Sequence, residues 1–152
     1  KLSAQDHPIQ QVRRINEISR FVEDGLRVEL NRMSGLRCDI PPSREGTKQR
    51  SGYPDMRVVD TASGCVFYVD PKLVESAALS STLRTFYFEP KDRTLKITQD
   101  AVHLVCGIEH NGHEGAWRFT RCHVVDLSQL RCHLKAEFQA SNADLYSSSA
   151  SQ

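Results

Sequence analysis

Two short stretches of the chain decide its fold. Residues 53–60 read Tyr-Pro-Asp-Met-Arg-Val-Val-Asp, and residues 66–72 read Val-Phe-Tyr-Val-Asp-Pro-Lys. Runs of β-branched and apolar residues of this length are typical of strands, which we predict at 56–59 and 65–69. The residues between them, Asp-Thr-Ala-Ser-Gly at 60–64, favour a turn, so the segment is predicted to be a β-hairpin.

The predicted hairpin brings two carboxylates together. Asp55 precedes the first strand and Asp70 ends the second, with the turn about midway between them. Residues i and i+2 of a strand point to the same face, so Asp70 and Lys72 are expected to project together. Two converging carboxylates repel each other unless a divalent cation lies between them, and oxygen ligands suit Mg²⁺. A lysine beside such a site can orient a water molecule or stabilise negative charge on a phosphate.

Upstream of the hairpin, the sequence predicts a long amphipathic helix. Asp6 is the expected N-cap, Pro8 lies in the expected first turn, and Gly35 is the expected stop. The apolar residues recur at steps of three or four and form one stripe, made of Ile9, Val12, Ile15, Ile18, Val22, Leu26, Leu30 and Met33.

Downstream, the pattern is that of further strands. We predict a second hairpin from 83–88 and 96–98, strands at 102–108 and 117–125, and a last strand at 130–138, for which a helix is the alternative. The fold class is therefore α/β (α+β), with a long N-terminal helix followed by a strand-rich mixed sheet. One domain would span residues 1–146, and the serine-rich residues 147–152 are expected to be a disordered tail.

Composition excludes several classes of protein. The 152 residues are 39% apolar and 26% charged, with a net charge of +1. This balance excludes a disordered chain, a collagen-like repeat and a polycation, and no apolar run is long enough to span a bilayer. Five widely spaced cysteines, an odd number, predict free thiols and a cytoplasmic location. The near-neutral total does not exclude nucleic acid, because acids at a metal site offset basic residues elsewhere.

The hairpin motif resembles that of the PD-(D/E)XK nuclease superfamily, which has the restriction-endonuclease-like fold. The match consists of Pro54-Asp55, then fourteen residues, then Asp70-Pro71-Lys72, and the resemblance in layout covers about residues 9–90. It implies a metal-dependent DNA endonuclease of restriction type, with Mg²⁺ or Mn²⁺ as cofactor. Asp55, Asp70 and Lys72 would form the catalytic set. Of these, the two aspartates would bind the metal together with the backbone carbonyl of Pro71, and Lys72 would be the catalytic lysine.

Many members of this superfamily add a glutamate from the preceding helix. Glu23 and Glu29 both fall within the apolar stripe, where an unpaired carboxylate is costly. Glu23 is favoured as a further metal ligand from its distance to Asp55, and Glu29 is the alternative.

A basic loop immediately precedes the motif. Its cations are candidates for contact with the phosphate backbone of DNA, and they are Arg44, Lys48, Arg50 and, within the first strand, Arg57. A solvated charged loop is the alternative interpretation. An enzyme that cuts both DNA strands would act as a homodimer. The expected partners are therefore DNA and a second copy of the chain, and not a membrane.

Pro71 departs from the pattern of the superfamily. The position usually holds an apolar residue with a free N–H, and proline is confined to the edges and bulges of sheets. With the site incomplete at Pro71, the chain would be a nucleic-acid-binding domain on the same fold. A further alternative is a protein-interaction domain in which the acids make only structural ion pairs. The recognition sequence and the choice of DNA over RNA stay open.

Zinc is another alternative. Its candidate ligands are His110, His113 and the Cys-His pairs at 122–123 and 132–133, although this spacing matches no compact zinc finger or ribbon.

Overall fold

The computed structural model describes residues 2–82, 86–132 and 140–146. The predicted tail at 147–152 and most of the predicted last strand lie outside these residues. The helices are α1 (Ile15–Arg32) and the short α2 (Asn142–Tyr146), and 3₁₀ turns occupy Pro8–Gln11, Ser76–Ala78 and Leu127–Gln129. The strands are β1 (Leu36–Asp39), β2 (Met56–Asp60), β3 (Val66–Glu75), β4 (Val102–Asn111) and β5 (Arg118–Asp126).

The five strands form one mixed sheet in the order β1-β2-β3-β4-β5. Neighbours are antiparallel except for β3 and β4, which are parallel, so the predicted mixed sheet is confirmed. The predicted hairpin between β2 and β3 is also confirmed, since the Asp60 N–H donates to the Cys65 carbonyl at 2.9 Å and the strands pair Met56 with Val69. This register fixes the neighbours of every residue that follows along β3.

The second predicted hairpin is wrong for the residues that the structure describes. Residues 86–88 and 96–98 carry no strand, and they belong to the connection that returns the chain to the start of β4. A parallel pair requires such a crossover instead of a tight turn. The backbone of this connection bonds to loop and side-chain partners: the Arg44 N–H donates to the Leu95 carbonyl, and the Thr98 N–H donates to the Tyr68 hydroxyl.

The long helix is confirmed, but it begins at Ile15 and not near Asp6. The reason is tertiary. The Gln10 side chain accepts from the Trp117 N–H at 2.7 Å and donates to the Trp117 carbonyl at 2.9 Å, while the Trp117 indole N–H donates to the Val12 carbonyl. Because these bonds hold the first apolar residues against the loop before β5, the segment forms a 3₁₀ turn and then an extended link.

The core lies between α1 and one face of the sheet. One cluster joins the helix to the centre and far side of the sheet, and it contains Ile9, Ile18, Val22, Cys106, Ile108 and Trp117. A second cluster of Cys38, Met56 and Val58 joins the helix to β1 and β2. Leu26 of α1 and Val69 of β3 contact both clusters, so the two clusters form one continuous core between the helix and the sheet. Within the described residues, no helix is both long and apolar enough to cross a bilayer.

The bridge between Gln10 and Trp117 generates a prediction about stability. Gln10→Ala leaves the buried backbone N–H and carbonyl of Trp117 without their partners, and we expect a loss of about 2–4 kcal/mol in the free energy of unfolding. Urea denaturation measures this loss. Gln11→Ala, at an exposed neighbouring position of the same turn, is the matched control and should change stability by less than about 0.5 kcal/mol. Equal effects of the two substitutions would show that the bridge is unimportant.

Candidate active site

Asp55 and Asp70 lie side by side at the end of the β2–β3 ladder, where β2 begins and β3 extends beyond it. Met56 and Val69 are the last pair of the β2–β3 ladder, so Asp55 and Asp70 are the next residues on the two strands. Their carboxyl groups interact electrostatically, as expected for adjacent acids. The Asp70 side chain is buried and that of Asp55 is half-buried. The two carboxylates therefore converge, as the hairpin pattern predicts.

This convergence raises the pKa of Asp55 to about 8, chiefly because burial disfavours the charged form and then because the Asp70 carboxylate is adjacent. Without a bound cation, burial and the adjacent Asp70 carboxylate therefore favour the protonated form of Asp55. A divalent cation between the two groups would displace this proton, because it stabilises both carboxylates in their charged form.

Lys72 lies on the same side of β3 as Asp70. Its ammonium forms an ion pair with Asp70 Oδ2, and its side chain is 31% exposed. β3 runs without interruption through Pro71 to Glu75. Proline is tolerated here because Pro71 lies past the end of the β2 ladder, where its missing N–H costs no hydrogen bond to β2.

An open cleft of about 560 Å³ adjoins these residues. One wall comes from the first half of α1 and includes Asn16, Ser19 and Glu23. The opposite wall is the second half of β3, including Lys72, and His110 of β4 closes one end. Asp55 lines the same cleft, so Asp55 and Lys72 are accessible from it, whereas Asp70 is buried.

The structure places Glu23 near the acid pair and Glu29 away from it. Glu23 lines the cleft with Asp55 and interacts electrostatically with Asp55 and Asp70. Six residues of an α-helix correspond to a rotation of about 120° from one side chain to the other, and Glu29 forms an exposed ion pair with Arg32. The expectation that both glutamates share one face of the helix is therefore wrong.

The four predicted phosphate-binding cations do not form one patch. Arg50 is largely engaged by α1, since its guanidinium lies 2.7 Å from Asp24 Oδ1 and 3.5 Å from Glu23 Oε2. Arg44 and Lys48 are exposed on the loop, and Arg44 makes only a loose contact of 3.9 Å with the exposed Asp92. Arg57 projects from β2 towards Gln99, 3.5 Å away. Arg44 and Lys48 are the two best placed for an external ligand, whereas Arg50 fixes Glu23.

Two further residues belong to the surroundings of the acid pair and were missed by sequence reasoning. Lys96 is fully buried and feels the charges of Asp55, Asp70 and Glu23, although burial is the larger effect and lowers its pKa. Tyr53 has a raised pKa from burial and from the two aspartates, and its hydroxyl lies 2.7 Å from His103 Nδ1. Lys96 has a weak sequence signal: it is a lone charge between Leu95 and Ile97 in an otherwise polar connection.

The donor set of this site fits a hard divalent cation. Asp70 Oδ2 is buried and lies against the Lys72 ammonium, and a carboxylate oxygen with more than one lone pair can still accept a further ligand. Mg²⁺ is commonly held by one or two carboxylates, with water and substrate phosphate as the remaining ligands. Across the described part of the chain, no three Cys, His, Asp or Glu side chains are close enough to hold an ion together. Glu23, held by Arg50, therefore does not complete a three-carboxylate site in this structure.

The zinc hypothesis is wrong for the residues that can be tested. His123 pairs with Glu109 at 3.0 Å, and Cys122 Sγ lies 2.9 Å from Cys106 Sγ, so neither joins a ligand cluster. His110, His113 and Cys132 are described and join no such cluster either, and His133 lies outside the described residues. All five cysteines are free thiols, as predicted.

Comparison with known proteins identifies the family. The model of the type II restriction enzyme MjaV family matches residues 1–149, almost the whole chain. The chain belongs to this family. A curated relative, the type II restriction enzyme MjaV of Methanocaldococcus jannaschii, is 31% identical over 142 residues. The match covers 88% of this chain and 60% of the relative, so the chain spans about three fifths of that protein. No solved structure matches the chain.

The raised pKa of Asp55 predicts how the stability of this MjaV-family chain depends on pH. The ordinary pKa is 3.8 and the folded value is about 8, so between these values the folded form holds a proton that the unfolded form releases. The free energy of unfolding must therefore fall as pH rises through this window. Asp55→Asn removes this titrating group. In metal-free buffer, we therefore expect the melting temperature of the variant minus that of the wild type to increase from pH 5 to pH 8. A difference that does not change with pH would contradict the raised pKa.

Proposed function

We propose that this chain is a Mg²⁺- or Mn²⁺-dependent DNA endonuclease of restriction type, built on the PD-(D/E)XK plan with a restriction-endonuclease-like core. The observation that carries the proposal is the convergence of Asp55, Asp70 and Lys72 at one end of the β2–β3 pair, beside an open cleft. Membership of a restriction enzyme family supports the same activity.

The residues that would hold the ion are Asp55 and Asp70, with the backbone carbonyl of Pro71 as a further oxygen ligand. Asp70 lies within β3 and Asp55 immediately precedes β2, so the strand pairing positions both carboxylates. A bound divalent ion supplies a water of lowered pKa and Lewis-acid stabilisation of charge on the phosphate. Glu23 would approach from α1 only after Arg50 releases it, so we assign it a secondary role at most.

Lys72 would act directly on the substrate. Its side chain reaches the cleft while its ammonium is anchored on Asp70, so a phosphate in the cleft meets a fixed positive charge. Such a charge stabilises the negative charge that develops on the phosphate oxygens in the transition state. The same ammonium can orient the attacking water by a hydrogen bond.

Arg44 and Lys48 would contact the phosphate backbone of DNA on either side of the cut, with Arg57 as a weaker candidate. A single active site cuts one strand, so we propose that two copies act together on duplex DNA. The five free thiols favour a reducing compartment, and we place the protein in the cytoplasm.

Cleavage of supercoiled plasmid tests the proposed activity. With Mg²⁺ or Mn²⁺ the wild type is expected to give linear product, because paired copies cut both strands. Asp70→Asn and Lys72→Met should each reduce the rate at least about 100-fold, since removal of one group that stabilises charge in the transition state has effects of this size. The folded state of each variant is verified by circular dichroism.

Asp100→Asn is the matched control, because this aspartate is exposed and its substitution leaves the acid pair intact. Nicked product alone would argue against paired copies. Salt-sensitive DNA retention without metal-dependent cleavage would replace the proposal with a catalytically incomplete binding domain. Cleavage that survives both substitutions would reject the assigned site.

The exposed cations of the basic loop predict a salt effect. Arg44→Ala and Lys48→Ala should each weaken DNA binding and lower the slope of log K against log salt by about 1, because each loses about one phosphate contact. Fluorescence anisotropy in Ca²⁺ at several KCl concentrations measures both quantities. Arg32→Ala removes an exposed arginine that pairs with Glu29 and is expected to leave the slope unchanged. Unchanged slopes in all three variants would show that Arg44 and Lys48 do not belong to the DNA-binding surface.

A further inference from the structure

His110 is a buried histidine at one end of the cleft, and neither of its ring nitrogens has a partner among the described residues. The residue is 7% exposed and lines the cleft. Nδ1 is fully enclosed and makes no hydrogen bond with the described part of the chain. Nε2 makes none there either but is not enclosed, so it is the nitrogen that is open to the cleft. Buried polar groups are normally hydrogen-bonded, so this exception indicates a role in binding or chemistry.

The surrounding fold holds the imidazole in this position. The pairing of β4 with β5 shifts register between Glu109 and His110, and a bulge of this kind redirects the side chain at that point. The ring packs edge-on against Trp117, with the two ring centroids 5.8 Å apart. Trp117 is itself held by the Gln10 side chain, so the orientation of His110 depends on a contact that spans the chain.

The imidazole presents a hydrogen-bond donor to the cleft. Burial lowers the pKa of His110, although the nearby Glu75 carboxylate opposes this effect, so the ring is neutral at neutral pH. A neutral ring carries its proton on only one nitrogen. A buried N–H without an acceptor is costly, so the proton lies on Nε2 and not on the enclosed Nδ1.

The N-terminus of α1 lies at the same end of the cleft. Ile15 and Asn16 line the cleft, and Ile15 packs against the core cluster that contains Trp117. The N-cap residue, Arg14, makes no side-chain hydrogen bond to the first turn, so N–H groups there remain able to donate. Such groups and the helix dipole favour an anion at the N-terminus of a helix. Together with the imidazole N–H, they form a site suited to an anion.

We propose that this end of the cleft is a subsite for a further phosphate of the DNA strand, bound by the His110 Nε2–H and by the N–H groups at the start of α1. The inference rests on the proposed function, because it requires the scissile phosphate to lie at Lys72. Both donors are neutral and fixed by the fold, so they orient the strand without competing with the proposed metal site.

The spacing within the cleft fits two phosphates of one strand. His110 lies three residues beyond Gly107, the β4 partner of Lys72, which corresponds to about 10 Å along the strand. On the opposite wall, α1 rises about 10 Å from Asn16 to Glu23. Phosphates of one DNA strand follow one another at about 3.4 Å along the helix axis, so the contacted phosphate lies within about three nucleotides of the cut.

Glu75 distinguishes a phosphate from a DNA base as the group bound here. It is the register partner of His110 on β3, is exposed and lines the same end of the cleft. Its carboxylate repels a phosphate, but solvent screens this repulsion. The edge of a base could instead use the carboxylate as an acceptor and the imidazole as a donor. Glu75→Gln should therefore leave DNA binding unchanged or tighten it.

Fluorescence anisotropy in Ca²⁺ tests the subsite, with a labelled duplex that contains the cleavage site mapped on plasmid DNA. His110→Phe keeps a ring against Trp117 and removes the donor, and we expect the dissociation constant to rise about tenfold. Its melting temperature should stay the same or increase, because the variant loses a buried nitrogen without a partner. His110→Gln retains an amide N–H near the position of Nε2 and should recover most of the affinity.

Duplexes with a neutral methylphosphonate at one position at a time locate the contacted phosphate. In the wild type, one modification within about three nucleotides of the cut should weaken binding by a factor similar to that of His110→Phe. The same modification should have little further effect in His110→Phe, because the two changes remove one shared contact.

His113→Phe is the matched control, since His113 is exposed and does not line the cleft. It should leave the affinity and the methylphosphonate pattern unchanged. If His110→Phe does not fold, His110→Leu carries the same comparison.

An unchanged dissociation constant in His110→Phe would overturn the inference. A lower melting temperature without recovery of affinity in His110→Gln would also overturn it, because His110 would then be a structural residue. Weaker binding in Glu75→Gln as well as in His110→Phe would replace the phosphate by a base edge. A wild type that cuts no plasmid DNA would instead reject the proposed function, and the inference with it.

Discussion

The close approach of the Asp55 and Asp70 carboxyl groups is the constraint around which one end of this protein is built. The ladder that pairs Met56 with Val69 leaves Asp55 and Asp70 as the next residues on two adjacent strands. Burial and proximity raise the pKa of Asp55. Lys72 of the same strand supplies positive charge to Asp70. Two adjacent carboxylates of this kind favour the binding of a divalent cation, because the ion removes the repulsion between their charged forms.

The topology explains how these groups reach one place. Antiparallel pairing of β2 with β3 brings the two aspartates together, and the parallel pairing of β3 with β4 requires the chain to cross over before β4 begins. That crossover packs against β3, where the Thr98 N–H donates to the Tyr68 hydroxyl. α1 packs its apolar side against the strands and presents Glu23 to the cleft. The hairpin and the helix thus bring Asp55, Lys72 and Glu23 to one cleft.

Local patterns predicted the elements, whereas the residues tied down by distant contacts were mispredicted. The hairpin around residues 60–64 and the long helix could be predicted from the spacing of apolar residues and from the turn residues alone. The rule that residues i and i+2 of a strand share a face correctly placed Asp70 beside Lys72. The start of α1 depends on a glutamine bridge to Trp117, more than a hundred residues away, and no local pattern encodes it. Arg50 looked like a DNA contact because its loop is basic, but α1 supplies the acids that engage it. The burial of Lys96 was missed for the same reason, because it depends on how the crossover connection packs against the rest of the chain.

Crystals soaked in Mn²⁺ test the central claim most directly, since the anomalous signal locates the ion without reference to activity. The account predicts one strong anomalous peak per chain, in contact with carboxylate oxygens of both Asp55 and Asp70. The Lys72 side chain is expected to leave Asp70 Oδ2 by a change of rotamer, without movement of its backbone. The same soak of Asp70→Asn crystals should show no peak there. A peak bound only by other residues, or no ion at Asp55 and Asp70 at saturating Mn²⁺, would contradict the account.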